Sequence, residues 1–315
     1  MGKATRAAFG EALVTIGETR DRVVVIDADL SCSTQTAKFA EAFPARFIQA
    51  GIAEGNMVGL ATGLALTGFA PFAARFACFI AGRFEQIRVS VAYNNANVTI
   101  VGTHSGVGIG EDGYSQMGLE DVGLMRTLPN MVVIQPADAT ETKHATAFLA
   151  DYVGPAYLRL TRQSVPDIYD ERYSFEFGKG AELREGSDLT IVASGAVVSG
   201  ALAAAEELSR EGLGVGVVNI HTIKPIDTAL LAEVAARSHR ILTVEDHAVV
   251  GGLGSAVVEA LAETPDVAVR VHGVHGFGES GTGEDLYRKH LLDAEGIAKV
   301  AREFLVPAAS ARASA

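Results

Sequence analysis

The sequence predicts an α/β protein of two doubly wound sheet domains, the first with a parallel sheet. Short apolar, β-branched runs such as Val23-Val24-Val25-Ile26 and Leu189–Ala193 alternate with longer stretches of helical periodicity in both halves of the chain. That alternation is the pattern of buried parallel strands with helices on both faces. It is interrupted over Asp151–Gly186, where Pro155, Pro166 and Gly178 stand among charged residues. The 315 residues agree with two domains at about 150 residues each. The first domain is placed at residues 1–165, a linker at 166–186 and the second domain at 187–315.

Within the first domain, helical spacing over Thr5–Gly17 precedes a strand at Val23–Ile26, which ends in Asp27-Ala28-Asp29-Leu30. Polar residues at the carboxyl end of a parallel strand lie where such sheets place ligands. A strand at Phe47–Gln49 leads into a helix over Ala53–Thr67. A strand at Phe69–Ala73, a helix over Cys78–Tyr93 and a strand at Val98–Val101 follow. The chain then spends Gly102–Gly118 on the polar, glycine-rich loop GTHSGVGIGEDGYSQMG, a length that usually serves function. Met131–Ile134, a helix over Thr140–Ala150 and Ala156–Leu160 complete the domain. The second domain reads as strands at Leu189–Ala193, Val215–Ile220, Ile241–Val244 and Val267–Val271. Helices are expected at Val197–Leu208, Thr228–Ala236, Leu253–Leu261 and Gly296–Phe304, with a frayed tail after Val306.

One stretch is unusual. In FIQAGIAEGNMVGLATGLAL, Gly51, Gly55, Gly59 and Gly63 recur every fourth residue. On a helix they form one row, at a propensity cost of about 1 kcal/mol each against alanine. Close approach of another backbone along that row is the economical reason. Glu54 heads the same segment with Val58, Ala61 and Ala65 on its face. A carboxylate among small apolar residues requires a partner, and the local sequence offers none. Two plainer readings exist: a membrane span over the uncharged Met57–Ala74, opposed by the break at Gly68-Phe69-Ala70-Pro71, and a core helix whose glutamate meets water or an arginine.

Composition narrows the function. A net charge of −12 argues against nucleic acid or anionic membrane as the main partner. It leaves room for an anionic substrate held by a few local arginines. Cys32 and Cys78 have neither metal-ligand spacing nor a disulfide framework. The N-terminal MGKATRAAFGEALVTIG lacks a signal-peptide apolar core, so the chain reads as soluble and cytoplasmic. Gly252-Leu253-Gly254 opens a helix but has Val257 where a dinucleotide fingerprint needs a small residue. Singly, Phe76 and Phe79 read equally as core, Arg6 and Arg162 as surface charge, His104 as a loop histidine and Gly110–Gly113 as a turn.

In combination and order these pieces resemble the C-terminal half of transketolase, its pyrimidine-binding domain followed by its C-terminal domain. AGIAEGNMVGLATGLA around Glu54, FACF at Phe76–Phe79, THSGVGIGEDG from Thr103, PNMVVIQPAD from Pro129 and LTRQS around Arg162 carry the resemblance over nearly the whole chain. It implies thiamine diphosphate as cofactor, with Mg2+, and transfer of a two-carbon ketol unit between sugar phosphates. It implies that Glu54 holds the pyrimidine N1′, a task that needs a water-poor carboxyl sharing a proton with a ring nitrogen. Phe76 and Phe79 then form the aromatic pocket of the aminopyrimidine, and Asp29 matches a cofactor-pocket acid. Arg6, Ser33 and Arg162 match positions that grip the sugar phosphate, while His104 and Asp112 match residues that handle substrate hydroxyls.

Two positions depart from the family pattern: Gly82 replaces a pocket tyrosine, and Gln116 stands where a second histidine is usual. The GDG…N motif that grips magnesium and diphosphate in the family has no counterpart here. The resemblance therefore implies an N-terminal partner subunit carrying that domain, in an α2β2 assembly, with the Mg2+ held mainly by the partner. The nearest rival is a β subunit of a 2-oxo acid dehydrogenase E1 component, which shares both domains and the glutamate. A non-catalytic binding subunit is the third reading.

Overall fold

The computed structural model describes residues 2–306; the tail expected to fray lies outside them. Among the described residues, twelve strands form two sheets. The first has the order β10-β5-β6-β4-β3-β1-β2 and the second β12-β11-β8-β9-β7. The strands of the first domain are β1 (Val23–Asp27), β2 (Phe47–Gln49), β3 (Ala70–Phe76), β4 (Thr99–Thr103), β5 (Val132–Ile134) and β6 (Ala156–Arg159). All six pair in parallel, as expected. The second sheet contains β7 (Ala181–Arg184), β8 (Leu189–Ala193), β9 (Val215–Asn219), β11 (Arg240–Ala248) and β12 (Ala268–Val274). Its strands are parallel except β7, which runs antiparallel to β9.

Several expectations need correction. The segment assigned to the linker contains β7, half-exposed and interrupted by charge, so no apolar run announces it. The first sheet is not wholly parallel. After β9 the chain returns with β10 (Thr222–Lys224), which joins β5 in antiparallel pairing. A three-residue edge strand leaves little periodicity to read. The single helix expected over Cys78–Tyr93 is broken at Gly82-Arg83 and ends in a π-helical turn over Ile87–Ala92. The glycine row is shorter than expected, because Gly51 lies before the Glu54–Leu66 helix with φ of +71°. No described helix is long and apolar enough to cross a membrane.

Parallel pairing puts the carboxyl ends of β1, β3, β4 and β6 along one edge of the first sheet, where α/β sheets bind ligands. The glycine-rich loop follows β4 and folds into short 3₁₀ turns over Val107–Asp112 and Tyr114–Gln116. The second domain covers that loop. Asp246, fully buried at the end of β11, accepts hydrogen bonds from the Val107 amide at 2.8 Å and the Gly108 amide at 3.4 Å.

Candidate functional site

The site begins with a turn. Asp27, completely buried, accepts from the Leu30 amide at 2.7 Å and from the Thr34 and Thr36 hydroxyls at 2.6 and 3.0 Å. Those bonds shape the chain after β1, which takes Asp29 into the left-handed region at φ +67° and carries Ser33 above the sheet edge. Burial raises the Asp27 carboxyl above its ordinary pKa, against these donors. Asp29 itself is exposed.

At the end of β4, His104 also has a positive φ, +57°. A histidine held there stores strain of about 1–3 kcal/mol, which must be supplied by its surroundings. Those surroundings are specific. Nε2 lies 3.1 Å from Arg6 Nη1 and Nδ1 lies 2.9 Å from the Thr103 hydroxyl. The imidazole stacks on Phe76 with ring centroids 3.7 Å apart. A guanidinium can only donate, so Nε2 is the acceptor and the proton sits on Nδ1, donating to Thr103. Burial, then Arg6 and Arg162, push the His104 pKa down to about 3.

Arg6 also donates to the Ser33 carbonyl at 2.5 Å. Burial and the Arg162 charge lower its pKa, opposed by Asp112. Arg162 donates to the Ile109 carbonyl at 2.6 Å and reaches Glu111 at 3.3 Å. Arg6, Ser33, His104, Asp112 and Arg162 thus gather around one mouth. Beside it opens an interdomain cleft of about 670 Å³, lined in part by Arg6, Arg162, Gln163, Ser199 and Tyr287.

The second group lies deeper. Phe76 stacks with Phe79 at 5.8 Å and 13°, so His104, Phe76 and Phe79 form a series of flat groups. Glu54, 7% exposed, opens the Glu54–Leu66 helix. Its partner is an arginine: Arg75 Nε and Nη2 lie 3.1 and 3.0 Å from Oε1. Arg83 stands 3.7 Å from Oε2. Nothing in the sequence singles out Arg75. It lies 21 residues beyond Glu54, on a strand whose neighbours are apolar, and the packing of the Glu54–Leu66 helix against β3 brings the two together. Gly82 is exposed and Gln116 half-buried.

The polar end of β11 is equally unexpected. The apolar run ends at Val244, yet Glu245, Asp246 and His247 continue the strand, all nearly inaccessible. Asp246 accepts from the Tyr287 hydroxyl at 2.8 Å, and Gln163, beside Arg162, donates to that oxygen at 2.9 Å. The relay steadies the Arg162 loop from the second domain.

A buried carboxyl beside stacked phenylalanines fits the chemistry of the pyrimidine half of thiamine diphosphate. Among the described residues no group of three or more His, Cys, Asp and Glu could hold a metal ion.

Residues 1–167 match the family model described as transketolase, pyrimidine binding domain, and residues 178–297 that of the transketolase C-terminal domain. The chain belongs to the transketolase family. It is 45% identical over 302 residues to the putative transketolase C-terminal section of Methanocaldococcus jannaschii, covering 94% of this chain and 95% of that one. It is 39% identical over 300 residues to a 6-deoxy-6-sulfo-D-fructose transketolase subunit of a Clostridium species, covering 95% and 93%. A solved structure described as a split gene transketolase, inactive beta4 tetramer, superposes with a TM-score of 0.90 at 44% identity, over 96% of this chain and 99% of that one.

Proposed function

We propose that the chain is the C-terminal subunit of a thiamine-diphosphate-dependent transketolase, moving a two-carbon ketol unit between a ketose phosphate and an aldose phosphate. An N-terminal subunit supplies the diphosphate- and Mg2+-binding domain, in an α2β2 assembly. The observation that carries the reading is the convergence of Arg6, Arg162 and neutral His104 beside Phe76, which stacks on Phe79 near Glu54. When bound, the cofactor supplies a nucleophilic thiazolium carbon. The chain's own residues do the rest. Glu54 shares a proton with the pyrimidine N1′, and Phe76 and Phe79 exclude water from the ring. Arg6 and Arg162 clamp a terminal phosphate as charge-assisted donors. His104, with Nε2 free to exchange Arg6 for a substrate hydroxyl, takes or returns a proton there, and Asp112 orients hydroxyls at the mouth. The two arginines favour a sugar phosphate over the short 2-oxo acid of a dehydrogenase E1 component. The Clostridium relative is named for a sulfo-sugar, whose terminal anion would ask for the same grip.

The test is reconstitution. The chain mixed with a partner bearing the diphosphate-binding domain, magnesium and thiamine diphosphate should transfer a two-carbon unit from a ketose phosphate, and the chain alone should not. Glu54→Gln should remove turnover and slow cofactor C2–H exchange by NMR, while its amide oxygen still accepts from Arg75 and preserves the fold. Transfer by the chain alone, or wild-type exchange in the mutant, would sink the reading.

A further inference from the structure

We infer that the Arg75 guanidinium is the resident occupant of the place an aminopyrimidine ring takes, so that ring binding and the Arg75–Glu54 ion pair exclude each other. This rests on the roles proposed above for Glu54, Phe76 and Phe79. Arg75 is the penultimate residue of β3, one before Phe76, and is 5% exposed. Its Nε and Nη2 lie 3.1 and 3.0 Å from Glu54 Oε1, and its Nη1 donates to the Ala28 carbonyl. Its Cζ lies over the Phe79 ring, 4.8 Å from the centroid. The guanidinium therefore presents an edge to the Glu54 carboxyl and lies over the Phe79 ring. An aminopyrimidine makes the same two demands of the same two side chains: an edge on the carboxyl and a π face on the phenyl ring. Both groups are flat and delocalised. A ring laid on Phe79 sits at a van der Waals separation of roughly 3.5 Å, in the volume that the guanidinium fills.

Binding must therefore open a buried ion pair and rehouse its cation, and that cost is subtracted from the affinity of the site. Arg83 does not share this part. Its side chain is 46% exposed and approaches the other carboxylate oxygen only to 3.7 Å.

Isothermal titration of thiamine into the full wild-type chain, Arg75→Ala and Arg75→Gln tests the inference. Both variants should bind thiamine at least about tenfold more tightly than wild type, although both should melt at lower temperature. Arg75→Gln keeps a flat amide to accompany Glu54, and serves if the alanine variant does not fold. A purely structural arginine predicts the reverse, lower melting temperature together with weaker binding. Equal or weaker binding by a variant with wild-type circular dichroism overturns the inference and leaves the thiamine reading standing. Thiamine bound by none of the three chains overturns the inference, whereas the functional reading stands or falls on the reconstitution above, because it assigns the diphosphate to the partner subunit.

Discussion

His104 joins the two halves of the site, and its protonation follows from its neighbours. Buried against Phe76 with a guanidinium on Nε2, it stays neutral well below the ordinary 6.5, to about 3. The unfolded chain takes up that proton near the ordinary value, so the group's contribution to stability is complete above it. The contribution is lost as pH falls toward the folded value. Wild type should therefore lose about 1.4 kcal/mol per pH unit more than His104→Gln between about pH 6 and about pH 4. Denaturant melts of the two proteins over that range check it, and parallel curves would mean the imidazole is charged in the fold. Comparing the pair cancels the opposing contribution of Glu141 and Glu245, which burial raises to about 7 in both proteins. At this scale the sequence exposes Glu54, His104, Phe76 and Phe79 through motif order, because each sits beside a strand end. Arg75 is illegible there. A charge inside Ala-Ala-Arg-Phe reads as a surface position until the Glu54 carboxyl and the Ala28 carbonyl are seen beside it.

The Glu54–Leu66 helix is the element whose sequence asks most of a partner. Gly59 and Gly63 face open space, with nothing within 4 Å of where a Cβ would stand, and Gly55 meets only Gln86. Leu60 and Leu66 on the same helix are exposed, as are Val89 and Tyr93 on the π-helical segment and at its end, which packs against it. Three glycines kept on a helix face that, at Gly59 and Gly63, none of the described residues covers fit close approach by a second polypeptide, since small residues let backbones come together. Gly59→Ala should stabilise the isolated chain by about 1 kcal/mol, the helix-propensity difference alone. Gly59→Leu should leave the isolated chain folded but weaken its association with a partner subunit, read by analytical ultracentrifugation of the mixture. Unchanged association of Gly59→Leu would place the interface elsewhere. The glycine period is plain in the sequence. That the row faces outward is not, because a row of glycines has no hydrophobic side to orient it.

At the scale of the whole molecule the two domains are tied more firmly than the expected linker suggests. β10 is one tie, adding a strand from the second half to the first sheet. A single apolar cluster runs from Ile26 and Ile100 in the first sheet through Val122 and Met125 to Val192, Val218 and Leu253 in the second domain. Glu141, buried in the helix Ala139–Asp151, accepts from Asn219 at 3.0 Å and Tyr173 at 2.7 Å. The alternating pattern identifies each sheet separately, but ties between residues far apart in sequence leave no periodic trace. The strongest tie is Arg159, 1% exposed and fixed on both oxygens of Asp121 at 2.7 and 3.1 Å. Its remaining nitrogen donates across the boundary to the Asp246 carbonyl at 3.0 Å. Removing one member of such a buried pair leaves the other charge uncompensated, at a cost of about 3–5 kcal/mol. Arg159→Met should incur that cost and also release Asp246, which holds the glycine-rich loop through Val107 and Gly108. In scanning calorimetry wild type should then unfold in one transition, and Arg159→Met in two separated ones, with the loop's protection from hydrogen exchange lost before that of β8. A single transition at the wild-type temperature in the mutant would show that the apolar cluster and β10 alone couple the domains.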